Sequence, residues 1–108
     1  MSMERVHQFI HLVRMNYREN PYHSSTHAFQ ITQLGFYILK KSSTANTMLM
    51  PSDSLSLLIA SLGHDLRHPG VNNTYLINTN HDLASTYNDL SVLENYHAST
   101  LMKIIDVS

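Results

Sequence analysis

At 108 residues, 43 % of them apolar and with a formal charge of −1, the chain is sized for one small domain and is too apolar for intrinsic disorder. Seven lysines and arginines against eight acids leave no basic footprint for nucleic acid, and the lack of cysteine excludes disulfides and thiolate metal sites. No apolar run is longer than four residues, as in Leu57–Ala60, so no membrane span is expected; the charged opening MSMERVHQFIHL does not read as a signal peptide, and a cytoplasmic location is the expectation.

Val6, Phe9, Ile10, Val13 and Tyr17 recur at helical spacing and predict a first helix. YRENP ends it, because the residue before a proline avoids the helical region. A second helix is expected from Ser24 or Ser25, either of which can cap it, to about Lys41. Its stripe of Ile38, Leu34 and Ile31 extends back to His27, which is expected to face the core, with His23 at the helix entrance. SSTANTMLMPSDS reads as a polar connection, and Asp53 or Ser54 as the cap of a third helix bearing Leu55, Leu58, Ile59 and Leu62. That helix stops before HPG and carries its buried stripe onto Asp65, where an unpaired charge is very costly. His64 shares a neighbouring face with His68. Short helical turns are expected near Asn73–Leu76 and Asp82–Tyr87. A last helix starts around Ser91 and is still running at Ile105, with Leu90, His97, Leu101 and Ile104 on one stripe and Glu94 beside it. With no β-alternation of useful length and no repeat, the fold class is all-α.

Three helices therefore aim histidine or carboxylate at one interior. A single inward histidine is more often a hydrogen-bonded core residue than a ligand, and HxxxH alone only places two side chains on one helical face. His7, His11 and His81 show no partner pattern and are expected in solvent. The combination is more specific: HxxxH at His23 and His27, HDxxH at His64, Asp65 and His68, and an inward Glu94. Imidazole and carboxylate without sulfur suit zinc or a similar divalent ion, and the two oxygens of an aspartate can bridge to a harder ion such as magnesium. Such a pair activates water and clamps a phosphoryl centre. A histidine left free of metal, with a reference pKa of about 6.5, can protonate a leaving alkoxide.

NPYHSSTHA, HDLRHPGVNNTYL and YNDLSVLENYH, in that order, resemble the catalytic domain of class I 3′,5′-cyclic nucleotide phosphodiesterases, within the helical HD metal-phosphohydrolase superfamily. The resemblance extends from about Tyr17 to the last residue. It implies a multi-helix bundle of the phosphodiesterase type, incomplete at its C-terminus, with residues 1–108 forming the N-terminal part of a single catalytic domain. By the same resemblance His23 is the general acid. His27, His64 and Asp65 are ligands of two divalent ions, Zn²⁺ with Mg²⁺ or Mn²⁺, and Asp65 bridges them. His68 matches a histidine beside the bridging hydroxide, Glu94 an acid in contact with water on the metal, and Tyr22 and Asn73 match the pocket wall and its supporting turn. The implied reaction is hydrolysis of a cyclic nucleotide to the 5′-monophosphate, with HPGVNNTYLINTNHDLA leaning towards cyclic AMP. Gln30, Arg67 and Tyr96 depart from the family pattern. The family's fourth protein ligand, an aspartate, and its purine-holding glutamine would lie beyond Ser108. The chain alone is accordingly expected to be inactive, its last helix exposing Leu101, Ile104 and Ile105 for self-association. The alternatives are a non-catalytic remnant, a regulatory fragment pairing with a full-length enzyme, or a hydrolase of another phosphate ester.

Overall fold

The computed structural model describes residues 2–108, and every regular element among them is a helix: α1 (Met3–Met15), α2 (Ser25–Lys41), α3 (Ser43–Met48), α4 (Pro51–Gly63), α5 (Asn73–Asn78), α6 (Asp82–Thr86) and α7 (Val92–Val107). The all-α expectation holds. No helix is long and apolar enough to cross a membrane.

The caps follow from local chemistry. Ser2 and Ser24 each accept a backbone N–H, from Arg5 and His27, at the starts of α1 and α2. The segment read as a polar connection contains α3, capped by Ser42. α4 begins earlier than expected. Pro51 occupies its first turn, where a missing N–H costs nothing, and Asp53 is not the cap but accepts the N–H of Met50 at 2.9 Å. α4 also ends earlier, at Gly63, and residues 64–67 form a turn. His64 and His68 therefore do not share a helical face.

α2 and α4 pack along their length through small residues. Ala28, Thr32, Gly35 and Leu39 form the covered face of α2, and a Cβ on Gly35 would meet Ser61 Oγ at 3.7 Å. The expected stripe of Ile31, Leu34 and Ile38 is one position out of phase and lies exposed, together with Phe29, Phe36 and Tyr37. A row of small side chains lets two backbones approach closely, so it outcompetes the bulkier row for this contact. The molecule is correspondingly loose, with a radius of gyration of 15.4 Å against about 13 Å for a compact domain of this size.

Two apolar clusters flank the 64–68 turn. Val13, Leu66 and Ile104, joined by Phe9, Leu12, Leu62 and Leu101, tie α1 and α7 to the end of α4. Leu76, Ala84, Val92 and Leu93 tie α5 and α6 to the start of α7. The expectation that α7 exposes Ile104 is corrected: α1 covers it to 5 % exposure and half-buries Leu101, while Ile105 is 39 % exposed. Leu90, placed on the same stripe by periodicity, is 70 % exposed because α7 starts only at Val92, after a left-handed Ser91. His7, His11 and His81 are exposed as expected, and His81 caps α6 by accepting the N–H of Leu83.

Candidate metal centre

Asp65, one of the few buried charged groups, lies where the end of α4, the start of α2 and the middle of α7 meet. Four imidazoles face its carboxylate. His23 Nδ1 and His64 Nε2 stand 3.1 Å from Oδ2, His27 Nε2 3.8 Å from Oδ2, and His97 Nε2 3.9 Å from Oδ1. No lysine or arginine pairs with it among the described residues. A sunken carboxylate ringed by imidazoles, with no lysine or arginine paired to it, is a site that a cation can complete.

The second nitrogen of each ring decides what the first can do. His64 Nδ1 lies 2.8 Å from the carbonyl of Ser61. A carbonyl only accepts, so this nitrogen carries the proton and, in the neutral ring, Nε2 carries the lone pair. His97 is held the same way by the carbonyl of Leu66 at 2.6 Å. His68 is the reverse: its Nδ1 accepts the N–H of Gly70 at 3.0 Å, so its neutral ring keeps the proton on Nε2 and serves as a donor. His23 donates Nδ1–H to Asp65 and its Nε2 has no hydrogen-bond partner among the described residues. Ligand atoms of His27, His64 and Asp65 all lie within 4.8 Å of one another, as do those of His23, Asp65 and His68. Donors about 2.0–2.2 Å from a tetrahedral ion are themselves separated by roughly 3.3–3.6 Å, so small movements suffice to close the first group on a metal. The ring chemistry favours that group, because His68 offers a proton rather than a lone pair.

The remaining site residues named from the sequence surround this centre. The His68 ring stacks on His23 at 3.8 Å between centroids and 5° between planes. Glu94, expected to face inward, is instead exposed on the first turn of α7 and held by Asn73, whose Nδ2 donates to its carboxylate at 3.1 Å while Oδ1 accepts the N–H of Leu93. Both line an open cavity of about 490 Å³ with His23 and His68. Tyr22 is largely exposed, its ring 4.3 Å from that of His27. His97 was placed inward by its stripe but not assigned to the site, and the family-like run ENYH was the available signal. Asn16 and Asn20, which bond to the donor-bearing turn, carried no signal that periodicity could register, and the stripe that included Tyr17 placed its ring but not the reach of its hydroxyl.

The description of the matching family model, which covers residues 22–108, is 3′5′-cyclic nucleotide phosphodiesterase. The chain belongs to that family. It is 42 % identical over 106 residues to cGMP-specific 3′,5′-cGMP phosphodiesterase 3 of Dictyostelium discoideum, covering 98 % of this chain and 22 % of that protein. To the 3′,5′-cyclic-nucleotide phosphodiesterase regA of the same organism it is 44 % identical over 106 residues, 97 % of this chain and 13 % of the relative. The crystal structure of the phosphodiesterase domain of Salpingoeca rosetta rhodopsin phosphodiesterase superposes with a TM-score of 0.92 at 33 % identity, covering 97 % of this chain and 31 % of that one. The chain thus spans under a third of the proteins it matches. The expected lean towards cyclic AMP finds no support, since several relatives are named as cGMP-specific.

In this phosphodiesterase-family chain Asp65, His68, His97 and Glu94 are all shifted in one direction. Burial raises the Asp65 carboxyl, but the His23 hydrogen bond and the charges of His64, His23 and His97, when protonated, bring it below the ordinary carboxylate value. Burial and then the neighbouring His23 charge lower His68, and burial lowers His97 despite its bond to Leu66. The Asn73 hydrogen bond lowers Glu94. For every one of these the unfolded chain binds protons more readily, so stability falls as pH falls. The histidine contribution is complete above about pH 6.5 and is lost below it; the Asp65 contribution is lost further down, below about pH 4. Thermal melts of the metal-free chain should therefore show a falling Tm between about pH 7 and pH 5, and His97→Asn should flatten that fall. An equal slope in the variant would remove His97 as its source.

Proposed function

We propose that the chain is the N-terminal, metal-binding part of a single catalytic domain that hydrolyses 3′,5′-cyclic nucleotides to 5′-monophosphates. The observation that carries this reading is the meeting of His27 from α2 with His64 and Asp65 from the turn after α4, with the His64 tautomer set for ligation and His23 alongside with a free nitrogen. Nitrogen, nitrogen and oxygen donors suit Zn²⁺, and the remaining capacity of the Asp65 carboxylate suits a harder ion such as Mg²⁺ or Mn²⁺. Bound divalent ions supply Lewis acidity and a nucleophile at neutral pH.

The residues then divide the work. Asp65 anchors His23 through Nδ1–H, which leaves Nε2 to hold the proton needed by the 3′ oxygen as its bond to phosphorus breaks. His68, stacked beneath His23, limits rotation of that ring and presents its own Nε2–H to the cavity. Asn73 keeps the Glu94 carboxylate ionised at the cavity edge, where it accepts hydrogen bonds from water. Purine choice is left open.

The test is a chimera in which residues 1–108 replace the matching segment of the Dictyostelium cGMP-specific relative. It should release 5′-monophosphate from a cyclic nucleotide, and His64→Ala in the chimera should abolish that release. The 108-residue chain alone, lacking the rest of such a domain, should be inactive. A folded, metal-loaded chimera without turnover would refute the reading.

A further inference from the structure

The turn that carries the metal donors is not held by α4. That helix ends at Gly63, and beyond it no helical ladder governs how residues 64–68 are rotated. The neighbouring segment Asn16–Asn20, between α1 and α2 and ahead of residues 22–108 matched by the family model, bonds to this turn repeatedly. Tyr17 Oη donates to the carbonyl of Leu62 at 2.7 Å and accepts the backbone N–H of Asp65 at 3.3 Å. The Asn16 carbonyl accepts the Arg67 N–H and its Oδ1 accepts Arg67 Nε–H, both at 2.8 Å. Asn20 Nδ2 donates to the carbonyls of His68 at 2.8 Å and His23 at 3.1 Å, so one side chain links the two histidine-bearing segments.

The conformation of the turn needs such restraint. Arg67 sits at φ 56°, a left-handed conformation that residues with a Cβ seldom adopt. Its two bonds to Asn16 oppose relaxation to an ordinary conformation, which would rotate the peptide planes on either side and carry Asp65 and His68 with them. Tyr17 acts closest to the donors, because its hydroxyl spans the last turn of α4 and the Asp65 amide. Its ring packs with the Val13, Leu66 and Ile104 cluster, so the hydroxyl is aimed by the core.

We propose that Tyr17 is a positioning residue for the metal centre, acting with Asn16 and Asn20 as a strap that sets the orientation of Asp65 and His64 relative to His27. This rests on the metal reading of that centre. A purely structural tyrosine would affect stability alone; a positioning tyrosine affects ligand geometry in a chain that remains folded.

The discriminating variant is Tyr17→Phe, which keeps the ring and removes only the hydroxyl. Zn²⁺ affinity of the 108-residue chain would be measured by competition with a chelating indicator, alongside the Co²⁺ visible spectrum and helical circular dichroism. Residues outside a metal's own ligands that orient them typically contribute about 10–100-fold in affinity. Tyr17→Phe should accordingly weaken Zn²⁺ binding by ~10-fold or more and alter the Co²⁺ spectrum with helicity unchanged. In the metal-free chain the Asp65 amide should exchange its hydrogen faster. Tyr87→Phe, in the other apolar cluster, should change neither. If the parent chain binds Zn²⁺ and folded Tyr17→Phe binds it equally well, the strap has no positioning role and the metal reading survives. Failure of the parent chain to bind Zn²⁺ overturns both. Should Tyr17→Phe lose its helicity, Asn20→Ala must show the affinity loss while folded; unchanged affinity there, or unfolding of both variants, makes the segment a determinant of folding and overturns the proposal.

Discussion

Asp65→Ala is expected to lower the Zn²⁺ affinity of the 108-residue chain by more than ~100-fold, beyond the range for residues that only orient ligands. Asp65 is the single carboxylate shared by both groups of convergent donors, so without it neither group offers a cation any negative charge. His27→Ala and His64→Ala each remove one nitrogen but keep that charge, so their losses should be smaller. Asp65→Asn preserves the shape and should lose nearly as much as alanine, which separates charge from packing. Glu94→Gln changes an exposed carboxylate and should leave Zn²⁺ affinity close to that of the parent. Competition titration against a chelating indicator checks all five. Full Zn²⁺ binding by folded Asp65→Ala would refute the centre as built here.

His23→Ala, in the chimera with the Dictyostelium relative, is expected to slow cyclic nucleotide hydrolysis by about 10²–10⁴-fold, the range of general acid catalysis. His23 stands four residues before His27, just ahead of the Ser24 cap of α2, and its Nδ1 rests on Asp65 while its Nε2 has no partner among the described residues. A ribose alkoxide leaves poorly and needs that proton in the transition state. A nitrophenolate leaves readily and needs almost none, so a nitrophenyl phosphodiester should be hydrolysed at nearly the parental rate. Metal content should stay constant. Equal losses on both substrates would assign His23 to structure, since disruption of the site does not distinguish leaving groups.

Much of this centre was legible in the chain because its causes are local. A serine cap and the preceding proline place the start of α2, and the 3.6-residue period marks α1 and α7, from nearby residues alone. His64 and Asp65 are adjacent and His23 and His27 are four residues apart, which keeps each pair close whatever the surroundings. The stripe of Leu55, Leu58 and Leu62 pointed to Asp65 as inward-facing, and it is buried although α4 ends at Gly63.

What periodicity misjudged were choices between faces. α2 carries one bulky apolar row and one row of small residues, and hydrophobicity alone ranks the bulky row as buried. Close approach of α4 selects Ala28, Thr32 and Gly35 instead, because shape complementarity between two helices is a property of the pair. Ile104 is buried for a similar reason, by a helix almost one hundred residues earlier in the chain. The sequence by itself determined the helical class, the serine cap of α2 and the inventory of imidazole and carboxylate groups. Only the tertiary structure decided that His97 joins Asp65, that His68 presents a proton instead of a lone pair, and that Tyr17 reaches the Asp65 amide. Each of these depends on hydrogen bonds between distant segments, which have a direction and a length but no period.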